Sequence, residues 1–244
     1  NLTGWDETQR PMPENVFVTS ATDAGDDVVI AQTPSDLADL DAMEAAAHIP
    51  VLYLAHNHWA MDRAPQRRLV ALDARLVCIS EMKARSWRDY GFYDDEIDVI
   101  PAGIDLPLFF GGGWTGQGGY LLTVVNGLSR PLFDKEGWLR ATAQFPVEMV
   151  RLVGSGNDGT RGAGGPAESW EALKAEYRGC TGYLNPTVGP FEDAHNLAAL
   201  EAAACGAPVR NLHGTPPRVE DFPIGAFREN WLRVLGEVLS EVLQ

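Results

Sequence analysis

The sequence has few cysteines, few basic residues and no long apolar run. Its three cysteines form neither a C-x-x-C pair nor an even-numbered framework, which excludes a small disulfide-stapled fold and favours a reduced, cytoplasmic compartment. Acidic residues outnumber basic ones by 34 to 19, and the formal charge of -15 would repel a phosphodiester backbone, so we expect no general nucleic-acid binding. No apolar stretch approaches the ~20 residues that span a bilayer, so we expect no transmembrane segment.

The chain has 244 residues, and 45% of them are hydrophobic. This hydrophobic content is enough for a globular protein with sizeable cores. Runs rich in Val, Ile and Leu alternate with helical stretches. Such continuous apolar runs are typical of parallel strands buried on both faces, and their alternation with helices predicts a doubly wound α/β fold. The predicted strands are Val16–Thr19, Val28–Ala31, Val51–Ala55, Leu76–Ser80, Asp98–Pro101, Tyr120–Val125, Met149–Val153, Thr181–Leu184 and Pro208–Asn211. The predicted helices are residues 34–48, 60–70, 81–90, 135–144, 167–178 and 194–205.

The segment from Gly111 to Gly119 has six glycines in nine residues and predicts an interdomain hinge. The β-α-β pattern occurs on both sides of it. We therefore expect two Rossmann-like domains, residues 1–110 and 120–226, with parallel sheets that face across a cleft. Residues 227–244 predict an amphipathic terminal helix, because their apolar side chains recur every three or four positions. One continuous sheet with a flexible surface loop stays open as the alternative.

A G-x-G-x-x-G sequence, Gly154 to Gly159, directly follows the predicted strand Met149–Val153. In a dinucleotide-binding turn, the third glycine opens a helix whose amino end faces pyrophosphate. Here residues 160–166 follow, and their three glycines and one proline would break a helix. An NAD(P)-dependent oxidoreductase is therefore a less favoured alternative.

The stretch from Asn185 to Pro208 predicts a loop, an alanine-rich helix and a buried strand. Asp193 lies near the start of this helix, at an end that favours anions. Glu201 lies two turns further on, where its carboxylate could bind sugar hydroxyls. From the residues alone, an ordinary packed helix with a solvated Glu201 stays open.

The residues from Glu201 to Val209 resemble the E-A-M-A-x-G-x-P-V ending of the E-x7-E signature found in nucleotide-sugar-dependent glycosyltransferases of the GT-B fold, especially family four. Asp193 stands eight positions before Glu201, where the family usually has Glu, and Asn196 stands where it usually has Gly. The resemblance implies that Glu201 holds the ribose of the donor and that Asp193 contacts the transferred sugar. Asn196 and Leu197 are then donor-binding residues at the start of the helix.

The loop that carries Arg130 and Lys135 resembles the family's G-R-x4-K-G loop, with the same five-residue offset. The resemblance implies that these two cations stabilise the diphosphate, on which negative charge builds as the glycosidic bond breaks. Residues 149–156 likewise resemble the family's strand ending in V-G-x-G. These two resemblances together imply that Gly127, in the first loop, and Gly154, in the second, are donor-binding residues. In isolation, an Arg and a Lys in a loop are more often solvated surface charges, so that alternative stays open.

The first half of the chain carries a third resemblance. Residues 97–105 are similar to the family's I-x-V-I-P-N-G-I-D segment, with Ala102 in place of Asn. His56 and His58 follow the predicted strand Val51–Ala55, where the family often has a His near the acceptor or the reacting sugar. The resemblance implies that one of them orients the acceptor hydroxyl or bonds the sugar. A purely structural role stays open, whereas a zinc site lacks a nearby third ligand in the sequence.

Asp39-Leu40-Asp41 matches the D-x-D of metal-dependent glycosyltransferases in its letters. It lies in a predicted helix, where residues i and i+2 point to different faces. We therefore reject this match and expect no obligatory metal.

Together with the resemblance, the sequence predicts a two-domain GT-B glycosyltransferase. It would move a sugar from a nucleotide-diphosphate donor, UDP- or GDP-linked, to an acceptor hydroxyl, with retention and without a metal. The acceptor stays open among a saccharide, a lipid-linked saccharide, a small molecule, a protein and a modified base. A non-catalytic module of the same fold that binds a sugar nucleotide or carbohydrate is the main alternative.

Overall fold

The computed structural model describes residues 28–31, 49–55, 63–89, 91–92, 96–107, 113–188 and 197–242. These divide into two compact units, one made of the described residues up to 102 together with 225–242, and one made of those from 103 to 224. Two predicted elements, the strand Val16–Thr19 and the helix over 34–48, lie outside the described residues.

The first unit contains a parallel sheet of four strands in chain order, β1-β2-β3-β4. The strands are β1 Val29–Ala31, β2 Val51–Ala55, β3 Arg75–Cys78 and β4 Ile97–Val99. Helix α1 (Arg63–Ala71) connects β2 to β3, and helix α2 (Glu81–Arg88) connects β3 to β4. Side chains alternate along each strand, so one face of the sheet packs on α1 and α2 through a core that includes Leu69 and Trp87.

The long terminal helix of the chain returns to the other face of this first sheet. This helix, α6, runs from Ile224 to Val242. Val234 and Val238 of α6 are buried against Leu52, Val77 and Ile100. The apolar stripe seen in the sequence is therefore buried within the first unit.

Charged groups at the rim of this packing form a small network. Arg75 bonds Asp98 at 2.6 Å and Glu237 at 2.5 Å, and Arg233 bonds the other oxygen of Asp98 at 2.9 Å. Asp98 is buried, so the two guanidinium groups compensate the cost of its desolvation. The network joins strands β3 and β4 to α6.

The second unit contains a parallel sheet of five strands. The strands are β5 Leu121–Val124, β6 Val150–Val153, β7 Ala163–Gly165, β8 Gly182–Asn185 and β9 Val209–Asn211, in the order β7-β6-β5-β8-β9. This is the 3-2-1-4-5 order of a doubly wound sheet, in which the winding direction reverses between β5 and β8.

Helices cover both faces of the second sheet. Helix α3 (Lys135–Thr142) packs on one face through Trp138, and helices α4 (Trp170–Gly179) and α5 (Leu197–Ala204) pack on the other. The parallel sheets and flanking helices confirm the predicted α/β fold. Strand β7 is absent from the sequence prediction, because its residues Ala-Gly-Gly carry no apolar pattern.

The described part of the glycine-rich segment is attached to the second unit. The amides of Thr115 and Gly118 donate to the carbonyl oxygens of Arg178 and Gly179 at the end of α4, and the Trp114 indole donates to the Cys180 carbonyl. Residues 111–112 lie outside the described part, and a hinge over 111–119 stays a prediction.

Candidate functional site

Polar side chains collect where β5, β8 and β9 end. Asn126 follows β5, Asn185 ends β8 and Asn211 ends β9, with Thr187 and His213 two residues further on. In a doubly wound sheet, ligands bind outside the carboxyl ends of the strands at the point where the winding reverses, which is here between β5 and β8. This edge of the second unit is therefore the candidate site.

The loop after β5 presents the predicted phosphate-binding arginine. Gly127 has a φ of 65°, and the Arg130 amide donates to its carbonyl oxygen at 2.9 Å, which closes a tight turn. The aliphatic stem of Arg130 lies over Gly127, since a Cβ added there would be 3.2 Å from the Arg130 Cδ. Among the described residues, the structure records no hydrogen bond or ion pair for the side chains of Arg130 or Lys135. The exposed Arg130 guanidinium is thus available to an anion.

Asn157 joins the loop after β5 to the loop after β6. Its side chain is 3% exposed, its Oδ1 accepts from the Leu128 amide at 2.8 Å, and its Nδ2 donates to the carbonyl oxygens of Val125 at 2.8 Å and Gly154 at 3.0 Å. A second, exposed link runs from the Ser155 amide to Asn126 Oδ1 at 3.0 Å. Together these bonds fix the turn that carries Arg130.

The G-x-G-x-x-G sequence serves this close approach of two loops. A Cβ added to Gly154, whose φ is 130°, would lie 2.2 Å from the Val125 carbonyl oxygen, so only glycine fits. The chain after Gly159 continues through turns into strand β7 rather than into a helix. The helix that a dinucleotide-binding turn requires does not follow this glycine run, which argues against the oxidoreductase alternative.

Helix α3 begins beside the candidate site with Asp134 as its N-cap. Asp134 Oδ1 accepts from the Gly137 amide at 2.7 Å, and Oδ2 lies 3.0 Å from the His213 Nε2. The Gly137 amide, and after it the His213 ring, hold the pKa of the Asp134 carboxyl below its ordinary value. Lys135 is the first residue of α3, so its position follows from this cap.

The segment after β8 is held against the loop that leads into α3. Phe133 and Thr187 form an isolated antiparallel bridge, and the Asp134 amide donates to the Pro186 carbonyl oxygen at 2.8 Å. Thr187 Oγ1 donates to Asn185 Oδ1 at 2.8 Å, and Asn185 Nδ2 donates to Asn211 Oδ1 at 3.1 Å. The ends of β8 and β9 and the start of α3 thus form one hydrogen-bonded rim.

Glu201 lies in the middle of helix α5 and is buried, with an exposed fraction of 3%. The Tyr177 hydroxyl, on α4, donates to its Oε2 at 2.9 Å. Leu197, at the start of α5, is exposed. The solvated Glu201 that the sequence left open is therefore excluded, and its carboxylate has a defined partner inside the second unit.

Four of the predicted site residues lie outside the described residues: His56, His58, Asp193 and Asn196. The rejected pair Asp39 and Asp41 lies outside them as well. Gly127, Arg130 and Gly154 lie in the loops at the ends of β5 and β6. Lys135 begins helix α3, and Leu197 and Glu201 share helix α5. Their roles stay predictions.

Three residues of this region escaped the sequence prediction. His213 lies two residues after the end of β9, so the criterion of a histidine close to a strand end, which selected His56 and His58, could have found it. Asn157 was hidden inside the false dinucleotide pattern. Tyr177 carries no signal in the sequence, because its partner Glu201 is 24 positions away.

The described part of the chain offers neither a cluster of metal ligands nor a membrane-spanning helix. No group of three or more His, Cys, Asp and Glu side chains there is placed to hold a metal ion. No helix within those same residues combines the length and apolarity needed to cross a bilayer.

Comparison with known families agrees with the resemblance found in the sequence. Residues 21–107 match the family described as Glycosyltransferase Family 4, which confirms the resemblance over less than half of the chain. This match contains the segment 97–105 but not the Glu201 motif. A search of the curated proteins finds no significant match.

Solved structures share the fold of this chain. The Anabaena protein Alr3699/HepE in complex with UDP-glucose is 16% identical, with a TM-score of 0.56 over 88% of this chain and 73% of that one. The same protein in complex with UDP is 15% identical, with a TM-score of 0.53 over 88% of this chain and 76% of that one. Its complex with UDP and glucose is 16% identical, with a TM-score of 0.54 over 88% and 73%. At these identities the likeness concerns the fold, which is of the GT-B glycosyltransferase type.

Proposed function

We propose that this chain is a glycosyltransferase that transfers a sugar from a nucleotide-diphosphate donor, in the first instance a UDP-sugar, to an acceptor hydroxyl. The observation that carries the proposal is the exposed Arg130 on the hydrogen-bonded turn at Gly127, where the winding of the second sheet reverses. The match of residues 21–107 to family four supports it. The UDP and UDP-glucose bound to Alr3699/HepE make a uridine nucleotide the first donor to test.

The role of the two cations follows from the charge of the leaving group. When the bond between the anomeric carbon and the β-phosphate oxygen breaks, negative charge builds on the departing diphosphate. Arg130 and Lys135 would bind that charge, and the main-chain turn at Gly127 would let the phosphate approach closely. Because the Asn157 bonds fix this turn, the main chain that carries Arg130 would be in place before the donor arrives.

The remaining roles come from the resemblance. Glu201 would hold the ribose hydroxyls, Asp193 would contact the transferred sugar, and Asn196 and Leu197 would line the donor site. The oxygen of the acceptor hydroxyl would form the new bond to the anomeric carbon as the bond to the β-phosphate oxygen breaks, and its proton would pass to the departing diphosphate. His56 or His58 would orient the hydroxyl.

The same proposal includes two further points: the anomeric configuration of the transferred sugar is retained, and the reaction needs no metal ion. Two cationic side chains can supply the charge stabilisation that a divalent ion supplies elsewhere. Transfer should therefore continue in excess EDTA, and a requirement for added Mg²⁺ or Mn²⁺ would contradict this part.

The direct experiment measures UDP release from UDP-glucose with a panel of acceptors. Arg130→Ala should lower kcat/KM by roughly 100-fold or more, the usual cost of removing one group that stabilises transition-state charge. Arg140→Ala is the matched control, because Arg140 is exposed on the same helix as Lys135 but outside the turn. Equal activity of both variants would refute the site. Tight binding of UDP-glucose without turnover of any donor would favour the non-catalytic module.

A further inference from the structure

A buried tyrosine hydroxyl holds the carboxylate of Glu201. Tyr177 is fully buried on α4, and its hydroxyl donates to Glu201 Oε2 at 2.9 Å. Apolar residues of the α4 and α5 packing, including Cys180 and Cys205, form the same core. A carboxylate in such surroundings is costly unless it is hydrogen-bonded, and the Tyr177 hydroxyl supplies one of the bonds that hold it.

The pair lies close to the carboxyl end of strand β5. The ring of Tyr183, on β8, has its centroid 6.1 Å from that of Tyr177. The Tyr183 hydroxyl donates to the carbonyl oxygen of Val124, the last residue of β5, at 3.3 Å. Glu201 is thus connected through two tyrosines to the strand whose following loop carries Arg130.

The Tyr177 hydroxyl acts as a permanent donor. Burial, and then the charge of Glu201, raise the pKa of Tyr177 well above its ordinary value, so the hydroxyl keeps its proton throughout the accessible pH range. Its hydrogen bond holds one of the two carboxylate oxygens, Oε2, and so restrains the direction of the group.

We infer that Tyr177 is a positioning residue for the donor, holding the Glu201 carboxylate in the orientation that accepts hydrogen bonds from the ribose hydroxyls. The inference rests on the proposed function, because the ribose contact of Glu201 comes from that proposal. Tyr177 itself does not touch the nucleotide. Its effect reaches the ligand only through the direction of the carboxylate.

The competing explanation is that the hydrogen bond stabilises the core and nothing else. Both explanations expect Tyr177→Phe to lower the free energy of unfolding, since the ring stays and one buried hydrogen bond is lost. Only a positioning role changes how well the protein distinguishes a ribose from a deoxyribose. A site that bonds a hydroxyl loses affinity for the analogue that lacks it, and this discrimination disappears when the bonding group is misaligned.

The experiment is calorimetric titration with UDP, 2′-deoxy-UDP and 3′-deoxy-UDP. Wild type should prefer UDP to at least one deoxy analogue. Tyr177→Phe should weaken UDP binding by up to about tenfold, the value of one hydrogen bond, and leave the affinity for that analogue nearly unchanged. Tyr183→Phe is the matched control, because it removes a buried hydroxyl of the same cluster that bonds a main-chain oxygen instead. Its preference for UDP should equal that of wild type.

The outcomes separate the inference from the proposed function. If wild type and Glu201→Gln show the same preference, Glu201 does not contact ribose and that part of the proposed function fails. If Glu201→Gln loses the preference while Tyr177→Phe keeps it, the positioning role alone is overturned. For the case in which Tyr177→Phe does not fold, 4-fluorophenylalanine at position 177 retains the ring and a small substituent in place of the hydroxyl but cannot donate a hydrogen bond. A preference unchanged by that substitution would also overturn the role.

Discussion

Asn157 offers the sharpest test of how the candidate site is built. We predict that Asn157→Ala destabilises the loops after β5 and β6 far more than a similar change at Asn126. Both asparagines link the same two loops. Asn157 is buried and makes three hydrogen bonds to the main chain, whereas Asn126 is exposed and accepts from the Ser155 amide and hydroxyl.

The magnitude follows from the contacts that are lost. Asn157→Ala removes three hydrogen bonds, each contributing about 1 kcal/mol. It also leaves the Leu128 amide without its acceptor in a residue that is 1% exposed. An unsatisfied buried donor adds a further penalty, so we expect a total of about 3 to 4 kcal/mol. Asn126→Ala should cost at most about 1 kcal/mol, because water replaces its bonds.

Amide hydrogen exchange at Leu128 measures this locally. Each loss of about 1.4 kcal/mol in the free energy of opening raises the exchange rate about tenfold. The protection of the Leu128 amide should therefore fall roughly 100-fold or more in Asn157→Ala. It should change less than about tenfold in Asn126→Ala. Equal protection of Leu128 in the two variants would show that Asn157 does not hold the turn.

Three further predictions concern the turn, its neighbouring helix cap and the terminal helix. Gly127→Ala should weaken UDP binding more than Gly159→Ala, since both have positive φ but only at Gly127 would a Cβ crowd the stem of the arginine; equal affinities by calorimetry would contradict this. Because the pKa of Asp134 is lowered in the folded protein, its carboxylate stabilises the fold above the ordinary pKa of 3.8, and this stabilisation is lost as the pH falls through the lower folded pKa. In urea unfolding below about pH 4, the free energy of unfolding should therefore fall less with acid in Asp134→Asn than in wild type. In the same assay, Val234→Ala, at a fully buried position, should lower the free energy of unfolding by about 2 kcal/mol. Leu232→Ala should lower it by almost nothing, because Leu232 is 70% exposed, and equal losses in the two variants would place the buried face of α6 elsewhere.

The strands could be predicted from the sequence because their signal is local. β2, for example, is Val51–Ala55 both in the prediction and in the structure, since a short run of apolar residues is enough to identify a strand buried on both faces. β7 escaped because its Ala-Gly-Gly sequence owes its strand conformation to pairing with β6, which is a tertiary effect.

The candidate site was only partly predictable, for a related reason. Arg130 and Lys135 were predicted through a sequence pattern of fixed spacing. Asn157, Tyr177 and His213 matter because folding brings them to partners 24 to 79 positions away, and a chain read in one dimension does not show such contacts. The same limitation applies to the exposure of Glu201, which a helical position alone does not determine.

The most direct measurement of the central claim is a titration with UDP followed by backbone amide NMR. If the nucleotide binds at the winding reversal of the second sheet, the amides of residues 126–135 and 185–188 should shift first and most, with the same midpoint. Saturable shifts confined to other parts of the chain, with these two segments unmoved, would contradict the site and the function built on it.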